Sequence, residues 1–196
     1  MKVGIVFVAH AAYGTVRIVI EKNQGRIMNK LLGFYCGSHT DNHGRMLAEI
    51  LKHDDDWLEA CHNYIQWLFP TKEISRVTPD APILDEETIE AFKTDEVLRN
   101  HLRAALIRIL AFYGLELTPD RIIKGPNWAA RKSNWFTEST HNSLRITRIL
   151  KCLYSLGLEV EAKAFQSGLL SLCESESDCG IDNMAMHFWR NAVPSN

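Results

Sequence analysis

The chain has 196 residues, of which 46% are hydrophobic and 23% are charged; this composition is typical of one ordinary globular domain and argues against fibrous and disordered classes. Its 22 basic and 24 acidic residues give a formal charge of -2, so the chain has no net attraction for nucleic acids or anionic membrane surfaces. No run of 18 or more apolar residues occurs, so we expect no transmembrane segment.

The beginning of the chain differs in character from the rest. The stretches "KVGIVFVAH" and "GTVRIVIEK" are rich in β-branched residues, which favours short strands. We predict an N-terminal extension over residues 1–30, either a short β-hairpin or a disordered segment, and Met28 is an alternative start. A signal peptide is disfavoured because the apolar stretch is short and Lys2 is its one basic residue.

From residue 41 onward the apolar residues recur at helical spacing. "DNHGRMLAEILKH" predicts a helix with Asp41 as its N-cap. "DDDWLEACHNYIQWLF" predicts one or two short helices that stop at Pro70, because proline cannot continue the hydrogen-bond ladder. The aspartates at 54–56 are expected in the first turn of a helix, where negative charge is stabilised by the helix dipole.

The second half of the chain predicts longer helices after a proline-containing loop over residues 71–84. Asp85 is expected to cap one helix, "TDE" to restart a second, and Gly114 to end it. After a turn near Pro119, four further helices are predicted in "NWAARKSNWF", "STHNSLRITRILKCLYSLG", "EVEAKAFQSGLLSLCE" and "DNMAMHFWRNA". The sequence thus predicts an all-α, compact single-domain array of about seven to nine helices over residues 31–191, followed by a tail over 192–196.

The segment "HNYIQWLFP" places polar residues among large apolar ones. Helical geometry would set His62 beside Gln66 and Asn63 beside Trp67. In one interpretation these four residues border a pocket for a small polar or aromatic ligand. In the other, the amides of Asn63 and Gln66 satisfy buried backbone groups.

The segment "HNSLRITRIL" places His141, Arg145 and Arg148 on one helix face, at i, i+4 and i+7, next to Asn142. Two guanidinium groups on one face require carboxylate or phosphate partners. Either internal carboxylates from residues 54–56 or Glu59 neutralise them, or they anchor an anionic ligand.

Other chemistries find less support. Cys36, His39 and His43 lack a fourth ligand and lie in loop sequence, so we predict no metal site and no cofactor. No GxSxG, HExxH or phosphate-binding glycine loop is present, so we predict no enzyme. "KGPNWAARKSNWF" interleaves aromatic and basic residues, but the overall charge argues against nucleic-acid binding, and its tryptophans are expected to face the core. The five cysteines indicate a reducing, cytoplasmic location.

Three long stretches together resemble the conserved region of the opioid growth factor receptor family. They are "HNYIQWLFP", "FKTDEVLRNHLRAALIRILAFYG" and "NWFTESTHNSLRITRILKCLYSLGLE", in this order and at similar spacing. "FYCGSHTDNHGRMLAEILKHDDDWLEACH" is similar to the start of the shorter, prokaryote-type members. The resemblance covers about residues 31–191 and implies a receptor-like domain; the animal member is described as binding the peptide Met-enkephalin at the nuclear envelope.

We therefore predict a non-enzymatic domain that binds a peptide or a small anionic ligand. The candidate binding residues are His62, Asn63, Gln66, Trp67, His141, Asn142, Arg145 and Arg148. Two alternatives stay open: an enzyme that uses His62 or His141 as acid or base on an anionic substrate, and a structural module for protein interaction. The oligomeric state is left open.

Overall fold

The computed structural model describes residues 29–76, 78–119, 121–138 and 140–194. Ten α-helices, one 3-10 helix and one two-stranded antiparallel hairpin lie in these ranges, which confirms the all-α class. The helix that the sequence did not indicate is α1, a six-residue helix too short for a periodic pattern. Asn29 caps it by accepting a hydrogen bond from the Leu31 N–H. The strands predicted in residues 1–27, and Met28, fall outside the described residues.

The helices are short in the first third of the described chain and longer after residue 85. In chain order the elements are α1 Lys30–Tyr35, α2 Leu47–Ile50, α3 Asp55–Ala60, α4 Ile65–Leu68, α5 Glu86–Thr94, α6 Glu96–Phe112, β1 Leu115–Leu117, β2 Ile122–Lys124, α7 Trp128–Arg131, a 3-10 helix Lys132–Asn134, α8 His141–Ser155, α9 Glu159–Ser175 and α10 Asn183–Ala192. None of the described helices has the length and apolar character that crossing a bilayer requires.

Side-chain caps determine where most of these helices begin. Asp54, Asp85, Asp95 and Thr140 each accept a hydrogen bond from a backbone N–H in the first turn of α3, α5, α6 and α8. Each such cap satisfies a backbone donor that has no partner within the helix. The caps predicted at Asp85 and at the "TDE" restart are therefore confirmed.

Glycine ends α6. Gly114 has φ +78°, and a Cβ at this position would lie 2.7 Å from the Cα of Trp128. The chain turns there into β1, which pairs with β2 in the register Leu115 to Lys124. The region predicted as a turn near Pro119 is thus the tip of a short hairpin.

Asp41 does not cap a helix, in contrast to the prediction. The chain turns at residues 41–44, where the Gly44 N–H donates to the Asp41 carbonyl, and α2 begins only at Leu47. The Asp41 carboxylate is fully buried. It accepts hydrogen bonds from the N–H groups of His43 and Arg45 and binds the Arg45 guanidinium, with 2.6 Å between Nη2 and Oδ2. Asp41 therefore stabilises the loop at residues 41–45 through its buried carboxylate.

The core forms around the apolar face of α8. Ile146, Ile149, Leu150 and Leu153 are fully buried, as the sequence predicted, and α8 packs against α9 and α10. Burial of each such side chain contributes roughly 1.5–3 kcal/mol. With one face of α8 committed to the core, another face is left to form the wall of a pocket.

The tryptophans of the 124–136 segment also lie in the core. Trp135 is buried, its indole N–H donates to the Tyr113 carbonyl, and its ring centroid lies 5.9 Å from that of Trp128. Trp189 of α10 closes the cluster by donating its indole N–H to the Ser143 carbonyl on α8. The expectation that Trp128 and Trp135 dock this segment onto the domain is confirmed.

Candidate functional site

A cavity of about 690 Å³ lies between α8, the beginning of α4 and the loop at residues 71–76. We call it the α8 pocket. It contains five of the eight residues that the sequence singled out, namely His62, Gln66, His141, Arg145 and Arg148. Two predicted segments that are more than 70 residues apart along the chain are thus brought to one place.

One face of α8 forms the long wall of the pocket. His141, Leu144, Arg145, Arg148 and Lys151 follow one another at steps of three and four residues, which places their side chains on the same face. The opposite wall is the loop at residues 71–76. Between these two walls the pocket is a groove that runs along α8 and is open to solvent.

Arg145 is buried, and it connects α8 to the chain between α3 and α4. Its Nη1 donates to the Leu58 carbonyl at 3.0 Å, and its Nη2 donates to the Cys61 carbonyl at 2.8 Å. Nη2 also lies 3.0 Å from Nδ1 of His62. Because these contacts occupy the guanidinium, Arg145 lies beneath the pocket and positions His62 at its edge.

The internal carboxylates that were considered for the two arginines bind other groups. Glu59 lies 3.0 Å from Nε2 of His141, and it accepts a hydrogen bond from the Asn142 amide at 3.2 Å. Asp55 forms an ion pair with Arg108 at 2.9 Å. The charge of Arg145 is therefore stabilised by carbonyl oxygens, an interpretation that the sequence analysis did not include.

Three of the candidate residues lie away from the open pocket. The predicted helical pairing of Asn63 with Trp67 is wrong, because residues 61–63 are not helical and α4 begins only at Ile65. Trp67 is buried against Phe34, with 5.2 Å between ring centroids, and the Asn63 amide oxygen accepts from Arg45 Nη2 at 2.9 Å. Asn142 is completely buried.

Arg148 differs from Arg145 in both burial and partners. It is half-buried, and its Nη1 donates to the Thr71 hydroxyl at 3.1 Å and to the Phe69 carbonyl at 3.3 Å. Partial desolvation lowers the pKa of this guanidinium from its usual value, although the group stays charged at neutral pH. One turn further along α8, Lys151 pairs with Glu73 at 2.9 Å, and the exposed Arg76 is a further basic residue that lines the pocket.

Gln66 contributes an acceptor that lacks a partner. Its side chain lines the α8 pocket and is 4% exposed, and its Oε1 has no hydrogen-bond partner among the described residues. A buried acceptor without a donor costs about 1–3 kcal/mol. A ligand that brings an N–H or O–H group to this atom would remove that cost.

The rim of the pocket is apolar, and sequence analysis did not identify it. Ile74, Leu144 and Phe188 line the pocket while their side chains are 66%, 66% and 46% exposed. The sequence does carry one indication of this rim, because Leu144 is an apolar residue outside the core-facing stripe of α8. Ile74 and Phe188 join the pocket through tertiary contacts that periodicity does not encode.

Two histidines meet at the end of the pocket where α8 begins. The ring centroids of His62 and His141 are 4.8 Å apart, in an edge-to-face arrangement. Burial and the neighbouring Arg145 charge lower the pKa of His141, and the carboxylate of Glu59 opposes this shift. Since the folded state then binds a proton more weakly than the unfolded chain, this group's contribution to stability is lost as pH falls from about 6.5 toward the lowered pKa.

Replacement of Glu59 by glutamine is expected to lower the pKa of His141 further, because it removes the nearby negative charge that favours the imidazolium form. Titration of the histidine ring signals by ¹H–¹⁵N NMR would measure the shift. The ring signals of His43, in the loop before α2, are the control and should be the same in both proteins. An unchanged or raised pKa of His141 would contradict the electrostatic description of this end of the pocket.

Comparison with known proteins places these features in a family context. A family model described as the opioid growth factor receptor (OGFr) conserved region matches residues 22–196. The chain is 42% identical to the opioid growth factor receptor of Mus musculus over 123 residues, which cover 59% of this chain and 19% of that protein. It is 40% identical to the receptor of Homo sapiens over 123 residues, or 59% of this chain and 18% of that protein.

A second group of relatives carries a related name. The chain is 37% identical to opioid growth factor receptor-like protein 1 of Mus musculus over 139 residues, which cover 68% of this chain and 29% of that protein. The chain thus spans less than a third of the length of these curated relatives. No solved structure matches the chain.

Proposed function

This chain belongs to the opioid growth factor receptor conserved-region family, and from that premise we propose that it is a non-enzymatic domain that binds a peptide or a small anionic ligand in the α8 pocket. The relatives are named as receptors, which supports binding rather than catalysis. The observation that carries the proposal is the buried Oε1 of Gln66, to which no described residue donates, in a pocket that also contains Arg148. Acceptor and cation together form a site for a ligand with both a donor and a negative charge.

The same argument assigns different roles to the candidate residues. Arg148 supplies the positive charge that binds the anionic group of the ligand, and Gln66 accepts a hydrogen bond from the ligand. His62 and His141 border the end of the pocket where α8 begins. Arg145 is a positioning residue because its donors bind backbone carbonyls. The apolar rim contacts the body of the ligand.

We propose a cytoplasmic location and no requirement for nucleic acid or a cofactor. All five cysteines are free thiols, which supports a reducing compartment. The formal charge of -2 supports a partner other than nucleic acid.

The proposal predicts that the natively purified chain retains a small molecule or peptide, and that the Leu144→Glu variant loses it. Leu144 is 66% exposed, so a glutamate there should leave the fold intact while placing a repelling charge at the rim. The matched control is Val97→Glu, because Val97 is 59% exposed in the first turn of α6 and does not line the pocket. Native mass spectrometry of the three proteins would detect the ligand, and equal retention by all three would contradict binding in the α8 pocket.

An enzyme acting on an anionic substrate is the second candidate, because a carboxylate, a histidine and two arginines meet at this pocket. The Glu59 carboxylate holds the ring of His141, as it would hold a general base. The retained compound separates the two candidates. A change in its mass during incubation, abolished by His141→Asn, favours the enzyme, and an unchanged compound favours the receptor-like domain.

A further inference from the structure

Two of the five free cysteines meet where α9 ends. Cys173 lies in the last turn of α9, and Cys179 follows in the turn that leads to α10. The thiol of Cys173 donates a hydrogen bond to the sulfur of Cys179. Both residues are half-buried and pack against the hydrophobic core. Two sulfur atoms are thus held in contact at a place separate from the α8 pocket.

Ion pairs on both sides of Cys179 attach its turn to the rest of the domain. Glu176, three residues before it, pairs with Lys124 of β2. Asp178, the residue directly before it, pairs with Lys132 of the 3-10 helix. The turn is therefore connected to two different elements.

The backbone directly after Cys179 packs closely against the domain. The Gly180 N–H donates to the Phe136 carbonyl at 3.4 Å, and a Cβ at Gly180 would lie 2.9 Å from the Cα of Thr137. This close approach requires glycine, which has no side chain. Because the turn is already fixed, little conformational entropy remains to be lost when the two sulfurs bond.

The other three cysteines have different surroundings. Cys152 is fully buried, and this burial raises the pKa of its thiol well above the usual value. The sulfur of Cys61 accepts a hydrogen bond from Arg45 Nη1 at 3.3 Å. Cys36 is exposed. Among the described residues, the pair at the end of α9 is therefore the one suited to an intramolecular disulfide.

We propose that Cys173 and Cys179 are a reversible oxidation site, which closes to a disulfide on reaction with a low-molecular-weight disulfide. In a reducing compartment the pair stays in the dithiol form, and a more oxidising ratio of small thiols to disulfides closes it. The bond joins the end of α9 to the turn that leads into α10. This site is independent of the ligand that the α8 pocket binds.

The reaction consists of two exchange steps. The Cys179 thiolate attacks one sulfur of the small disulfide, forms a mixed disulfide and releases the first small thiolate. The Cys173 sulfur then loses its proton, attacks the Cys179 sulfur and releases the second small thiolate. The two protein thiols are oxidised, and the small disulfide is reduced to two thiols. Contact between the sulfurs makes the second step intramolecular and fast.

The surroundings of Cys173 determine the order of these steps. Burial, and then the hydrogen bond to Cys179, raise the pKa of the Cys173 thiol well above its usual value. Cys173 therefore stays protonated at neutral pH and is a poor first nucleophile. Cys179 reacts first, and Cys173 resolves the mixed disulfide.

The test places the full chain at neutral pH in a buffer of reduced and oxidised glutathione. Mass spectrometry of the unreduced chain and its peptides should find one disulfide, between Cys173 and Cys179. The ratio of cross-linked to reduced chain should be roughly tenfold higher in the folded chain than in urea, because folding holds the sulfurs in contact. The same preference should raise the midpoint of thermal unfolding by about 3–5 °C. No cross-link, a cross-link between other cysteines, or equal ratios would overturn the proposal.

Single serine variants test the order of attack. Cys173→Ser should accumulate a mixed disulfide with glutathione at Cys179, because the resolving sulfur is missing. Cys179→Ser should leave Cys173 unmodified. Cys36→Ser is the control, since it removes an exposed thiol elsewhere, and the disulfide should form as in the unaltered chain. A mixed disulfide at Cys173 and none at Cys179 would contradict the assigned order.

A variant of the turn tests whether the fold brings the sulfurs together. Gly180→Ala should lower the ratio of cross-linked to reduced chain roughly threefold, because its Cβ would push the turn away from Thr137. Ser177→Ala is the matched control, because Ser177 is exposed in the same turn, and the ratio should be unchanged. An equal ratio in both variants would contradict the role of the turn. If Gly180→Ala unfolds the chain, the comparison between folded chain and urea decides alone.

Discussion

Replacement of Arg145 by alanine is expected to lower the free energy of unfolding by about 3–5 kcal/mol, the largest effect of any substitution at the site. Arg145 is 5% exposed, and its guanidinium donates to the carbonyls of Leu58 and Cys61. Without it these buried acceptors lose charge-assisted hydrogen bonds, and α8 loses its connection to the chain before α4. Lysine at this position is not expected to restore the free energy of unfolding, because its single ammonium group cannot donate to both carbonyls as the planar guanidinium does.

Arg148→Ala is the matched control, because the two arginines lie on the same face of α8 with different surroundings. Arg148 is half-buried and makes its contacts through Nη1 alone among the bonds described, so about 1 kcal/mol of stability should be lost. Urea unfolding followed by circular dichroism measures both proteins. Equal losses in the two variants would contradict the assignment of Arg145 to the fold and of Arg148 to the ligand.

Asp41→Ala is expected to destabilise the domain by roughly 2–4 kcal/mol. The carboxylate of Asp41 is fully buried, accepts two backbone N–H groups and binds Arg45. Arg45 in turn donates to the Asn63 amide oxygen at 2.9 Å. Removing the carboxylate leaves a partly buried guanidinium without its counter-charge, so the loop before α2 and the chain before α4 are both expected to loosen.

The comparison for this variant is Asp54→Ala, which removes the N-cap of α3 at the surface. Loss of such a cap typically costs about 1 kcal/mol. Thermal unfolding by calorimetry should therefore give a clearly larger decrease for Asp41→Ala than for Asp54→Ala. A smaller or equal decrease would contradict the role of the buried Asp41 carboxylate in stabilising this loop.

Local chemistry explains which structural predictions were correct. Asp85 and Asp95 cap helices because a short carboxylate next to free backbone N–H groups acts over two or three residues. Gly114 ends α6 because the required positive φ excludes most other residues. The apolar stripe of α8 lies in the core because its period equals that of the helix. Each of these three features depends only on residues that are close together along the chain.

The errors arose where side chains have partners that helical periodicity does not indicate. Asp41 is a residue type that often caps helices, yet its buried carboxylate binds the N–H groups of His43 and Arg45 and the Arg45 side chain within a turn. Asn63 and Trp67 were paired on a helix that begins only at Ile65, and they face different partners. Asn63 accepts from Arg45 and Trp67 packs against Phe34, so the tertiary fold and not helical spacing decided where these two side chains lie.

The sequence by itself determined the helical class, the helix caps at Asp85 and Asp95, and the family, because each depends on residues that are close along the chain or on the match of long segments. It also brought Arg145 and Arg148 to one helix face. Only the tertiary structure decided that Arg145 lies under the pocket and Arg148 at its side. The physical reason is that burial and hydrogen-bond partners depend on which distant chain crosses the helix, and here residues 58–62 cross it at Arg145.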